Sequence, residues 1–184
     1  MTKEKIADAF EMLIKAHPYN KITINMICEV AHTSRNTFYY YFQQKKDVID
    51  YICLRDYQKN SVPYHVIQVD NIGTLSFFQY LYDNKELYFA LFAIDKGNTL
   101  RSALMEAYKS SITKEYVMRF SKFLNPKTTK IEQDIFWLYG SGGITAIQLY
   151  WIETGMKVPA KEMAEKLGIL LMNSLFVSLK EHIF

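Results

Sequence analysis

Residues 34–37, Ser-Arg-Asn-Thr, set four hydrogen-bonding side chains in a row, and three consecutive tyrosines (Tyr39, Tyr40, Tyr41) and a basic pair (Lys45, Lys46) follow close behind. A guanidinium can donate two parallel hydrogen bonds to the major-groove edge of guanine, and a carboxamide can pair in the same two-point way with adenine. Arg35 and Asn36 are therefore competent base readers. Phenol hydroxyls and ammonium groups suit phosphate oxygens, contacts that fix register without reading sequence. From Val30 to Lys46 there is no Asp or Glu, while Arg35, Lys45 and Lys46 all fall there. The 184-residue chain carries a net charge of only +3, so any nucleic-acid surface has to be local to this stretch.

Such side chains need a helix to carry them into a groove. Ile6, Ala9, Phe10, Leu13 and Ile14 recur at helical spacing after Thr2, and the pattern stops at His17-Pro18. Thr23 caps a short second helix with Ile24, Ile27, Cys28, Val30 and Ala31 as its apolar stripe, and Ser34 caps a third. Only His32-Thr33 separates the two, which makes a helix-turn-helix arrangement. In that arrangement the first turn of the second helix, here Ser34 to Thr37, meets the base edges. Phe38 and Phe42, four apart, point inward, so Tyr39 and Tyr40 project sideways or outward and Tyr41 follows Thr37 along the same edge. Lys45 and Lys46 begin a fourth helix, Gln44 to Lys59, where ammonium groups and free backbone N–H groups can converge on one phosphate. Thr23 and Asn25, in the first turn of the second helix, are candidates for the opposite strand.

The span KITINMICEVAHTSRNTFYYYFQQKKDVIDYI resembles the DNA-binding domain of the TetR family of bacterial transcription regulators. The shared pattern is a Thr-led helix, a short turn, Ser-Arg-x-Thr-hydrophobic-Tyr-x-x-Phe, and a Lys-containing start to the fourth helix. The resemblance covers about residues 3–55. It implies that Thr37, Tyr39, Tyr41 and Lys45 touch phosphates, that Arg35 and Asn36 face bases, and that the protein is a dimer. His32 departs from the pattern, which often has Gly there, so this His has to accept a backbone conformation that suits Gly.

Pro63 and the segment to Asn71 interrupt the helical pattern and mark the expected boundary between a DNA-binding domain, 1–60, and a helical effector-binding and dimerisation domain, 61–184. Beyond it the pattern predicts helices over Thr74–Tyr82, Lys85–Ile94, Asn98–Leu124 and Thr128–Glu153, and a last one from Pro159 to the C-terminus. The expected fold is all-α, with about nine helices. The block from Phe77 to Asn98 is dense in aromatics with few small fillers, so an apolar effector pocket is expected beside the core, with Phe89, Phe92, Tyr108, Tyr116 and Trp137 as its candidate lining. Glycine inside a helix costs roughly 1 kcal/mol against alanine, so Gly140, Gly142 and Gly143 point to the close approach of another helix. Gly140, Gly143, Ile144, Ile147 and Trp151, with Leu171 and Leu175 on the last helix, form the expected dimer face. A two-fold dimer would double the contacts made on a palindromic site in duplex DNA. The block YLYDNKELYFALFAIDKGN also resembles the C-terminal domain of the regulators of bacterial dihydroxyacetone kinase operons, which implies activation through a kinase-subunit-like protein partner.

At 49% hydrophobic the chain has enough apolar surface for a folded core. Cys28 and Cys53 lack paired metal or redox spacing and read as buried in a reducing compartment, and the histidines at 17, 32, 65 and 182 are scattered. No metal and no cofactor is expected. The segment YGSGGIT, Tyr139 to Thr145, has no Lys-Ser/Thr after it and does not make a phosphate loop. With no nucleophile-elbow pattern and no paired carboxylates on an apolar helix face, an enzyme is not expected. No segment has the roughly 20 uninterrupted apolar residues of a membrane span, and the N-terminus lacks a secretion signal, so the expected location is cytoplasmic. The leading functional reading is a homodimeric repressor released from its operator by an effector. The alternative is a regulator or activator whose C-terminal domain binds a protein partner instead of a small molecule.

Overall fold

Caps and breakers set the helix ends. The computed structural model describes residues 2–60, 72–111 and 129–180, without the side chains of 72–75, 111, 132, 133, 136, 137, 140 and 171–180. The helices are α1 (Thr2–Ala16), a 3₁₀ turn (Tyr19–Lys21), α2 (Ile24–Val30), α3 (Arg35–Tyr41), α4 (Lys45–Asn60), α5 (Ile72–Asp83), α6 (Lys85–Phe92), α7 (Asn98–Ser111), α8 (Lys130–Glu153) and α9 (Ala160–Lys180). No strand occurs among the described residues, and the fold is all-α as expected. The expected boundary segment, Pro63 to Asn71, lies outside the described residues, as does the second half of the helix expected to run to Leu124.

Thr23 Oγ1 accepts the backbone N–H of Met26 at 3.2 Å and Ser34 Oγ accepts that of Thr37 at 3.1 Å, so both short helices start on the expected caps. α2 ends with the N–H of Thr33 donating to the carbonyl of Cys28 at 2.9 Å and that of His32 to the carbonyl of Glu29 at 3.2 Å. This paired closure needs a left-handed residue after the helix, and His32 supplies it at φ +50°. The strain expected at His32 is present.

The buried side chains form one cluster that runs from Ile6, Phe10, Ile27 and Phe38 through Ile49 and Ile52 to Tyr88, Leu104, Trp151 and Ala164. α4 makes its most extensive contact with α7, α1 also packs on α6, and α5 on α9. The inner face of α4 continues past Val48, Ile49, Ile52 and Cys53 to Asp56, whose side chain is buried as fully as theirs. Its carboxylate accepts Nη2 of Arg55 at 2.7 Å and the Tyr88 hydroxyl at 3.0 Å. Arg55 also reaches α1, pairing with Glu4, Asp8 and Glu11. Burial alone would lower the pKa of the guanidinium, but the Glu11 hydrogen bond and the Asp56 charge raise it overall. A charged knot centred on the buried Asp56 thus ties α1 and α4 to α6.

Candidate nucleic-acid interface

Phe38 and Phe42 are buried with ring centroids 5.8 Å apart; α3 packs on α2, and the Phe42 ring meets Tyr51 of α4 at 5.8 Å with Lys3 of α1 over it at 5.4 Å. That leaves the opposite face of α3 in solvent. Tyr39 and Tyr41 are exposed at 47% and 38%, and Tyr40 at 81% is the most exposed of the three. The Tyr40 and Tyr41 rings meet edge to face at 4.9 Å, and Tyr39 stands edge-on to Phe38 at 5.6 Å. Ser34, Arg35 and Asn36 are exposed in the first turn, with Thr37 half-buried beside them. The Ser34 and Thr37 hydroxyls are 2.9 Å apart, so both take part in the cap as well as in the exposed surface. From α2, Asn25 joins this face: Nη1 of Arg35 donates to its Oδ1 at 3.3 Å. Thr23, also exposed, is two residues before Asn25 and is engaged in its own cap.

The basic pair at the start of α4 divides. Lys45 does not extend toward solvent as expected: its Nζ donates to the carbonyls of Tyr19 at 2.9 Å and Ile22 at 2.6 Å and lies 4.2 Å from the centre of the Tyr19 ring. Burial pushes its pKa down. The physical reason is the 3₁₀ turn: the Ile22 carbonyl lies just past its end, and the Tyr19 carbonyl, which also accepts the Ile22 N–H at 3.2 Å, faces the same ammonium. Lys46 does point outward, in a half-exposed pair with Asp50 at 3.3 Å. Asp47 Oδ2 accepts the N–H groups of Gln43 at 2.8 Å and Gln44 at 3.1 Å, so those two amides already face a carboxylate.

A profile described as "Bacterial regulatory proteins, tetR family" matches residues 6–52, from α1 into α4. A second, described as "Transcriptional regulator C-terminal region", matches residues 71–173, more than half of the chain. The chain belongs to the TetR family of bacterial transcriptional regulators. A relative from Lactococcus lactis subsp. lactis (strain IL1403), the HTH-type dhaKLM operon transcriptional activator DhaS, is 30% identical over 100 residues. The match takes in 53% of this chain and 52% of that protein, so the chain spans about half the length of this curated relative. A solved structure, "Dihydroxyacetone kinase operon activator DhaS", shares the fold at a TM-score of 0.60 and 24% identity, over 98% of this chain and 97% of that one. Membership in the TetR family makes this a DNA-binding regulator of transcription, and no helix among its described residues is long and apolar enough to cross a membrane.

In this TetR-family chain the expected dimer face needs one correction. Trp151 is 1% exposed, donates Nε1–H to the Val158 carbonyl at 2.8 Å and packs on Phe78 at 5.4 Å and Tyr82 at 6.2 Å. It belongs to the core of its own chain, where the turn into α9 satisfies its one donor. Ile144 and Ile147 are half-buried against the same core. Gly143 is exposed, and a Cβ there would meet nothing within 4 Å. The open apolar side of α8 is instead Ile131, Ile135, Leu138, Tyr139 and Tyr150, with Ile169 and Leu170 exposed on α9. The side chains of Gly140, Leu171 and Leu175 lie outside the described residues.

The pocket candidates are scattered through the packing. Tyr108 is buried between α4 and α8, with its ring 4.6 Å from that of Tyr57 and its hydroxyl donating to Gln148 Oε1 at 2.8 Å. The half-buried Phe92 lies against Gly97, where a Cβ would come within 2.7 Å of its ring. Gly97 also sits at φ +84°, so it is required twice over. Phe89 is half-buried. Tyr116 and the side chain of Trp137 lie outside the described residues. Missed from the sequence were Gln148 and Thr145, both buried on α8, the latter with a hydroxyl that has no hydrogen-bond partner. No sequence signal marked them, because α8 is apolar almost all round and its pattern does not say which side faces the core.

Proposed function

We propose that this regulator binds a palindromic operator as a homodimer, and that an effector acting on its C-terminal half sets operator occupancy through α4. Arg35 and Asn36 read bases from the first turn of α3. Thr37, Tyr39, Tyr40, Tyr41 and Lys46 contact the flanking phosphates, together with the first-turn amides of α4, and Thr23 serves the opposite strand. The observation that carries this reading is the α3 surface: its inward face is filled by Phe38 and Phe42, while Arg35 and Asn36 of its first turn, with the Ser34 cap, are exposed and Thr37 is half-buried beside them. The open apolar side of α8 supports the homodimer, because exposed patches of that kind on soluble domains mark interfaces. The charged knot of Arg55, Asp56 and Tyr88 supports α4 as the lever, since it fastens that helix to α6.

The leading sign is repression, with the effector separating two DNA-binding domains that otherwise fit successive major grooves. Activation is the second reading, favoured by the DhaS relative's description as a transcriptional activator. The test is a mobility shift on the promoter nearest the gene, paired with a reporter assay. Retarded DNA with reporter output that falls on expression supports repression, and output that rises supports activation. Absence of any shift at low salt refutes operator binding.

A further inference from the structure

Arg35 is not a free side chain waiting for DNA. Its guanidinium is held from two sides, by Asn25 Oδ1 at 3.3 Å from Nη1 and by the Tyr39 hydroxyl at 3.5 Å from Nη2, with the Tyr39 ring centre 5.9 Å from Cζ. One support comes from α2 and the other from the next turn of α3. Because a guanidinium only donates, the carbonyl side of the Asn25 amide has to face it. A guanidinium carries five N–H groups, and these two contacts engage one on each terminal nitrogen. One N–H on each terminal nitrogen and the Nε–H are left over, enough donors for a forked two-point bond to O6 and N7 of guanine.

Resting on the reading of α3 as the recognition helix, we propose that Asn25 is a positioning residue for Arg35, fixing the direction of the fork and so the sequence preference at the base pair that Arg35 reads. Long side chains lose rotamer entropy when they dock, and a fork already held in place loses less of it. Asn25 then contributes specificity at a base pair it does not itself touch, and Tyr39 adds a weaker second support while serving a phosphate.

The test uses the full-length protein and a pool of randomised duplexes, from which a preferred sequence is selected. Single-base variants of that sequence are then titrated with wild type, Asn25→Ala, Arg35→Ala and the double variant. Arg35→Ala should reduce discrimination at one base pair per half-site by about tenfold. Asn25→Ala should relax the same base pair severalfold, and the double variant should relax it no further than Arg35→Ala alone. Asn25→Asp keeps the acceptor, so it should retain the base preference while binding all duplexes more weakly through its added negative charge. The proposal is overturned if Asn25→Ala weakens every duplex equally, shifts preference at a different base pair, or adds to Arg35→Ala in the double variant. If Arg35→Ala alters preference nowhere, the recognition-helix reading fails first and the positioning role falls with it.

Discussion

The ammonium of Lys45 has two carbonyls within hydrogen-bond distance and an aromatic ring beneath it, so its first effect is on the fold. Hydrogen bonds to charged groups are worth about 1.5–3 kcal/mol. Lys45→Met should therefore lower stability toward urea by about 2 kcal/mol, since it removes the ammonium donor to the Ile22 carbonyl and one of the two donors to that of Tyr19. Unchanged stability with uniformly weaker DNA binding would mean that the ammonium leaves this seat for phosphate. Tyr88 poses a parallel case on the other side of α4. Burial pushes its phenol pKa well up, and its hydroxyl is a donor to the buried Asp56 carboxylate. Tyr88→Phe removes that donor and leaves the ring, so a loss of about 1.5–3 kcal/mol is expected from a urea titration. A loss under about 0.5 kcal/mol would show that Arg55 and Tyr80 satisfy Asp56 without it.

At the scale of elements, the turn between α2 and α3 carries a residue suited to another position. His32 holds φ +50°, a conformation that costs a side chain with a Cβ roughly 1–2 kcal/mol. Glycine removes that strain but makes the unfolded chain freer. His32→Gly should thus raise stability by up to about 1 kcal/mol, read as a higher thermal midpoint. A lower midpoint would reveal a contact made by the imidazole that outweighs the strain. The caps at Thr23 and Ser34, the breaker at Pro18 and the phenylalanine pair were legible in the sequence because each acts within a few residues of itself. Asp56 was not, because it continues an apolar stripe and its partner Tyr88 is far along the chain. The inward turn of Lys45 was equally hidden, since the carbonyls it meets come from a turn more than twenty residues upstream.

Across the whole molecule, the all-α architecture and the order of its helices could be read from periodicity, whereas the facing of α8 could not. That helix is apolar almost all round, with Ile131, Ile135, Leu138, Tyr139 and Tyr150 open and Thr145, Gln148, Leu149, Trp151 and Ile152 buried. A pattern without a polar side cannot say which stripe meets its own chain. Exposure separates the two, and with the open side as the proposed dimer face Leu138→Lys should convert the expected dimer to monomer in light scattering with little change in the fold. Trp151→Ala should destabilise each subunit by about 3–5 kcal/mol, seen in urea unfolding, without first dissociating the dimer. A dimer that survives Leu138→Lys would move the interface to another face. Whether α3 reads sequence is tested by fluorescence anisotropy on a selected duplex and its scrambled counterpart at one fixed salt concentration. Specific binding tighter than non-specific binding by at least about a thousandfold is predicted for wild type, with Arg35→Ala narrowing that ratio. Equal affinity for the two duplexes, or a ratio untouched by Arg35→Ala, would contradict it.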